Sequence, residues 1–261
     1  MRKLFVILFA LILAIPACAG VQVDKYYVPI TEKELRQSVT KTPLHSKENG
    51  VLISRATISH LSKLAYSLYT QKYQANSRDA YANFWYSASA NSRWWDIAGM
   101  DAKAKDAEPG EVKQTFAVTR KHIMIALQLA PDSSLINAQA GYQLWKDSFG
   151  IDSGEKGIHL LGKSLKLDPK SAYAHILLGK IYSTPGTKIY DLPQARKEFR
   201  EALRLDPGDS QAHFSLALTY LDGHLYQEAK TELDAFRAMT PDLSPTYTAF
   251  VQGQINHGLR K

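Results

Sequence analysis

"LAPDSS" at 129–134, "LDPKSA" at 167–172, "LDPGDS" at 205–210 and "MTPDLS" at 239–244 are four versions of one phrase. Their prolines, Pro131, Pro169, Pro207 and Pro241, stand 38, 38 and 34 residues apart. Proline removes a backbone donor and drives the residue before it out of the helical region, so each phrase ends a helix. The Asp or Ser that comes next, Asp209 or Ser210 in the third phrase, can cap the next helix. A helix terminator that returns at a nearly constant period marks a repeat array.

Aligning the chain on these prolines brings other residues into register. His213, Leu216, Ala217 and Tyr220 lead to Ala229, Leu233 and Pro241. One unit earlier stand His175, Leu178, Gly179 and Tyr182, then Ala195, Phe199, Ala202 and Pro207. Before that come Asn137, Ala140, Gly141 and Leu144, then Gly157, Leu161, Ser164 and Pro169. The spacing is helical, two helices per unit, with small residues where the helices must approach and large ones between units. From Val51 onward the pattern predicts helices over 51–75, 78–92, 112–129, 133–147, 154–167, 171–183, 192–205, 209–221, 225–239 and 243–258, with no convincing strand.

These columns resemble the tetratricopeptide repeat, whose 34-residue pattern places a large residue, Leu-Gly, Tyr, Ala, Phe and Pro at such intervals. The match is strong over 172–241 and fair over 134–169. It is degenerate over 78–131, where "VTRKHIMIALQLAP" (118–131) carries it. The resemblance implies an all-α fold, a right-handed α-solenoid of helical hairpins closed by a C-terminal capping helix. That last helix carries Thr248, Gln252 and Asn256 as a solvating face. Both 38-residue units place their four extra residues between first and second helix, in "DSFGIDSGEK" (147–156) and "STPGTKIYDLP" (183–193).

The resulting division is a signal peptide over 1–19, a tether over 20–50, an aromatic-rich degenerate region over 51–133, three repeats over 134–241 and a cap over 242–261. In the tether, Thr31-Glu32-Lys33-Glu34 has capping-box spacing, so a short helix starts there and fades before Pro43, and "HSKENG" (45–50) reads as loop.

At the N-terminus Arg2 and Lys3 precede "LFVILFALILAI" (4–15), too short to span a bilayer with ease but suited to a secretory signal. Residues 15–20 have two readings. Ala17-Cys18-Ala19 is a small-residue cleavage site. "IPAC" (15–18) resembles the bacterial lipobox, in which the cysteine, here Cys18, is acylated; Pro16 departs from that pattern. The absence of Asp after Cys18 implies, by the same resemblance, the outer membrane. Both readings place the protein outside the cytoplasm, in the periplasm or at the outer membrane. With one cysteine in the sequence the chain has no internal disulfide. The formal charge of +7 contains no Lys/Arg run, which speaks against nucleic acid.

Catalytic signatures are sparse. "GIHLLGKS" (157–164) has the spacing of a phosphate-binding P-loop, but that motif leaves a buried strand, and "DSGEK" (152–156) before it is no strand. Asp209 and Ser210 in "PGDSQ" (207–211) read as helix caps. The histidines show no metal-ligand spacing, and His175 and His213 share a core column. The expectation is a non-enzyme without catalytic residues, cofactor or metal.

Two surfaces invite binding. Between 66 and 95 lie Tyr66, Tyr69, Tyr73, Tyr81, Phe84, Trp85, Tyr86, Trp94 and Trp95, read either as the core of a helical pair or as a ligand pocket. Trp94 and Trp95 are adjacent and cannot share one helix face. The second surface comes from the resemblance, which places a binding groove on the first helices. The matching positions are Leu135, Ala138, Tyr142, Trp145 and Lys146; Tyr173, Ile176 and Lys180; and Gln211, Phe214, Leu218 and Asp222. The family's clamp for C-terminal carboxylates is missing, since Ala138, Ile176 and Phe214 occupy one of its columns. An apolar, aromatic stripe suits an amphipathic helix or extended apolar peptide, with Tyr142 and Trp145 as anchors. The chain's own N-terminal segment or terminal helix is an alternative occupant. The leading expectation is therefore a scaffold or adaptor of the bacterial envelope that binds a protein segment and supports assembly of a complex. Its rival is a periplasmic lipoprotein that binds a small molecule, in a site lined by residues such as Trp85 and Trp145, and works with a solute transporter.

Overall fold

Apolar residues at helical spacing, broken by Pro, Gly, Asp and Ser, dictate short antiparallel helices. The computed structural model describes residues 28–59, 61–98, 110–147, 154–240 and 246–260. Among them are twelve helices and no strand. They are α1 (Glu32–Lys41), α2 (Glu48–Ile58), α3 (Ser62–Ala75), α4 (Ala80–Ala98), α5 (Glu111–Leu129), α6 (Ser134–Asp147), α7 (Gly154–Leu167), α8 (Ala172–Tyr182), α9 (Leu192–Leu205), α10 (Ser210–Asp222), α11 (Tyr226–Met239) and α12 (Thr246–Gly258). The chain divides into two compact units, Val28–Ile136 and Asn137–Lys261, with the boundary in the first turn of α6. The signal segment and Cys18 lie outside the described residues.

In the first unit, α4 packs along α5 and against α2 and α3. The helix expected in a tether is part of this unit: α1 packs on α2 and α3 and buries Leu35 and Val39. Thr31 caps it as the capping-box spacing predicts, its Oγ1 accepting from Glu34 N at 3.2 Å. The single helix expected over 51–75 is two, α2 and α3. The break is tertiary in origin: Ser59 Oγ accepts from Ile30 N at 2.9 Å, and Arg55 donates to the carbonyls of Val28 and Pro29. "HSKENG" is loop only at its start, because α2 begins at Glu48. Asn49 is fully buried and binds the carbonyls of Pro43 and Ser46 at 2.8 and 2.9 Å, turning the chain into α2.

An ion pair lies in this interior. Arg93 donates to Glu111 at 2.7 and 3.1 Å with both side chains buried. Nearby, Tyr86 stacks between Tyr73 and Tyr66 at 4.7 and 5.7 Å, and His122 meets Tyr73 and Tyr86 edge-on. Trp85 and Tyr69 are fully buried. The side chains of Trp94 and Trp95 are outside the described set.

In the second unit the repeat columns become contacts. The second helices bury residues at i, i+4 and i+7: Gly157, Leu161 and Ser164 in α7; Ala195, Phe199 and Ala202 in α9; Ala229, Leu233 and Phe236 in α11. That spacing puts all three on one face. "GIHLLGKS" is thus the middle of α7, not a loop around a phosphate. Gly141 and Gly157 let α6 and α7 touch backbone to backbone: a Cβ on Gly157 would stand 2.5 Å from the Gly141 carbonyl oxygen. Side-chain oxygens of Ser171, Asp191 and Asp209 accept from Ala174, Gln194 and Ala212 and cap α8, α9 and α10.

Two columns do more than expected. His175 and His213 are not plain core residues. Each bonds a glutamate on its partner helix, Glu198 at 2.7 Å and Glu232 at 2.6 Å. On α12, Thr248 and Gln252 do not simply face water: Arg237 of α11 donates to Thr248 at 3.0 and 2.9 Å and to Gln252 at 2.6 Å.

Candidate functional site

The first helices of the second unit, α6, α8 and α10, carry the stripe expected to bind. On α6 the i, i+3 spacing stacks Tyr142 on Trp145, with centroids 5.8 Å apart and planes 15° apart. The Lys146 ammonium sits 5.6 Å from the centre of the Tyr142 ring. Burial raises the Tyr142 hydroxyl well above the usual tyrosine range. It pushes Lys146 down to about 8, against a smaller upward pull from Asp147.

On α8, Tyr173 donates to Gln139 of α6 and thereby ties neighbouring first helices together. Lys180 donates to Gln211 Oε1 of α10 at 2.9 Å. Its side chain is buried, which pushes it down to about 7; Asp209 opposes that shift and Lys146 adds to it. Asp209 is itself pushed up to about 6, mainly by burial. An amine that loses water costs several kcal/mol to keep charged unless an anion compensates.

The face is less open than the resemblance implies. Tyr142, Trp145, Tyr173, Ile176, Lys180, Phe214 and Leu218 are all at most 5% exposed. Phe214 contributes to the hairpin interior, its ring 4.8 Å from that of Phe236 on α11. Leu135 is half-buried and belongs to the first unit, so it stands apart from the stripe of the second unit. Asp222 is half-buried, its carboxyl raised by burial. Gln139 was not among the expected residues, although it lies one turn before Tyr142. The lysines' loss of water was equally invisible, though Lys180 stands in the apolar run "AHILLGKIY" (174–182).

In the first unit, Tyr66 and Tyr73 of the tyrosine stack are half-buried, as is Tyr81. Burial and Lys121 hold His122 below its ordinary value, and its Nδ1 pairs with Asn83 Oδ1 at 2.9 Å. Among the described residues no group of three or more His, Cys, Asp or Glu could hold a metal ion. No described helix is long and apolar enough to cross a membrane.

No family model matches the sequence, and no curated protein matches it. Solved structures do. The chain is similar to a thermophilic tetratricopeptide-repeat protein, TTC0263 of Thermus thermophilus, with 14% identity, 80% of this chain and 96% of that chain covered, and a TM-score of 0.57. It is also similar to human IFIT1, solved as a dimer with PPP-AAAA, with 15% identity over 82% of this chain and 47% of that one, and a TM-score of 0.55. At such identity the likeness speaks for the fold alone: this is an all-α protein of the tetratricopeptide solenoid class.

Proposed function

We propose that the protein is a non-enzymatic adaptor of the bacterial envelope that binds a protein segment along α6, α8 and α10 and so supports assembly of an envelope complex. The observation that carries this reading is the aromatic and aliphatic stripe with two amines in it, Tyr142 on Trp145 with Lys146 beside Tyr142, and Lys180 of α8 bonded to Gln211 of α10. Rigid aromatic anchors beside a few polar groups suit a peptide, since rings bury much surface at little entropic cost. In this reading the leader exports the chain to the periplasm or outer membrane, held by acylated Cys18 where the lipobox is used.

The test is crosslinked purification from native membranes of wild type and of two variants, Tyr142→Ser/Leu218→Ser and the milder Lys146→Glu. Circular dichroism confirms that each folds. A protein partner lost from both folded variants supports the adaptor. An unchanged set of crosslinked proteins, together with a small molecule that co-purifies with wild type, sinks it in favour of the transporter-associated reading.

A further inference from the structure

Charge is unevenly placed in this chain. Residues 154–204 hold ten Lys/Arg and five Asp/Glu, so about a fifth of the chain carries +5 of its +7. These cations form no run because they fall at helical steps. On α7, Gly157, Leu161 and Ser164 are buried, with Gly157 against Gly141 of α6. At about 100° per residue, His159 and Lys166 stand on the opposite side of that helix, with Lys156 and Lys163 flanking them. Lys170 follows in the turn beyond. Lys156, His159, Lys166 and Lys170 are exposed and Lys163 is half-buried. One repeat later α9 buries Ala195, Phe199 and Ala202, with Phe199 against Gly179 of α8, and exposes Lys197, Arg200 and Arg204. Lys197 and Arg204 hold the columns of His159 and Lys166. The same columns of α11 carry Thr231 and Ala238, so the charge belongs to two helices and not to the repeat.

We infer that the outward face of α7 and α9 docks on an anionic phospholipid surface. Among the described residues, Lys156, Lys166, Lys170 and Lys197 form no ion pair. Arg204 is bonded to Glu201 at 2.8 and 2.7 Å, and Arg200 to the Tyr220 hydroxyl at 2.7 Å. Against seven Lys and Arg the face sets Glu155, Asp168 and Glu201. Charge complementarity calls for an anion, and the form of the face says which kind. A protein partner draws its affinity from apolar anchors sunk in pockets. Among the described residues of these two helices, the one exposed large apolar side chain is Leu167, 41% exposed, at the end of α7. Lipid headgroups need no register, and each lysine held near them strengthens binding about fivefold. Leu167, set between Lys166 and the turn with Lys170, suits the same interface as an apolar tip among cations.

Lipid docking goes beyond the adaptor reading and is independent of it. The outward side chains of α7 and α9 point away from α6 and α8, against which the two helices pack. A chain that lies on lipid through this face keeps the stripe of α6 and α8 turned from the membrane.

The test is sedimentation of the full-length chain with vesicles of phosphatidylcholine alone and of phosphatidylcholine mixed with phosphatidylglycerol. Any affinity of the apolar leader for lipid is common to both. Wild type should bind the anionic vesicles at least about tenfold more tightly than the neutral ones. Lys156→Glu/Lys166→Glu/Lys170→Glu should lose at least about tenfold on anionic vesicles and nothing on neutral ones. Lys33→Glu/Lys41→Glu/Lys47→Glu, at exposed lysines of the first unit, makes the same change in net charge and should stay close to wild type. Circular dichroism and urea midpoints confirm that each variant folds. Equal wild-type binding to both vesicles, a reversal that binds as wild type does, or a control that loses as much as the reversal each overturns the inference. Equal vesicle binding together with capture of poly-glutamate that the α7 reversal abolishes overturns it in favour of an acidic protein partner. The reversal leaves Tyr142 and Leu218 intact, so lipid docking and the adaptor reading can each fail alone.

Discussion

Gly157→Ala should destabilise the second unit, while Gly162→Ala, five residues further along the same helix, should stabilise it. A methyl at Gly157 would lie 2.5 Å from the Gly141 carbonyl oxygen, 2.9 Å from Trp145 Cβ and 3.0 Å from Trp145 N. Two of those neighbours are backbone, which cannot swing aside, so α6 and α7 must separate by most of an ångström. Overpacking of that kind costs about 1–3 kcal/mol, and the gain from replacing a helical glycine returns about 0.8–1.0 kcal/mol. The net is a loss of up to about 2 kcal/mol. At Gly162 nothing stands within 4 Å of the added methyl, so only the gain remains. The two alanine variants should therefore differ by the overpacking cost itself, about 1–3 kcal/mol, roughly 2–12 °C in Tm for a chain of this size. Urea titrations followed by far-ultraviolet circular dichroism, with equal m-values, measure the gap. Gly141→Ala/Gly157→Ala should fall short of additivity, since both methyls fill one contact. A Gly157→Ala protein as stable as Gly162→Ala would refute the close approach of α6 and α7, and with it the register on which the repeat reading rests.

Glu111→Ala takes from the buried Arg93 guanidinium its two bonds to a carboxylate and should cost about 3–5 kcal/mol of stability in the first unit by urea denaturation; Arg93→Met/Glu111→Met should recover part of that loss. Burial alone would depress His213, but its hydrogen bond to Glu232 and that residue's charge raise it overall. Its contribution is fully present below the unfolded value of about 6.5 and is lost as pH rises through the raised folded value. Glu232→Gln should flatten that fall in urea midpoints between pH 6 and 9. Lys180 runs the other way. Its folded value of about 7 lies below its ordinary 10.5, so the unfolded chain binds more protons between them and stability rises with pH across that window. Lys180→Met should remove the rise, read as the difference from wild type between pH 7.5 and 9.5.

The repeat was legible from the chain alone because its determinants are local. A proline ends a helix wherever it stands, and apolar residues at i, i+4 and i+7 face one way in any helix. Pro169 and Pro207, the Ala195–Phe199–Ala202 column and the Asp209 cap therefore all predict the structure correctly. The same locality explains why "GIHLLGKS" could be read as helix and not as a phosphate loop. Burial and pairing, by contrast, depend on residues far away in sequence. No periodicity shows that Ile30, Val28 and Pro29 will draw on Ser59 and Arg55 and divide one expected helix into α2 and α3. Nor does it show that the histidine column will find glutamates, or that Arg237 will take Thr248 and Gln252 from solvent. The stripe on α6, α8 and α10 was expected from the tetratricopeptide resemblance, which carries no information about its seclusion. Whether Tyr142, Lys180 and Phe214 meet water or protein is decided by what the fold lays against them, and only the tertiary structure specifies that.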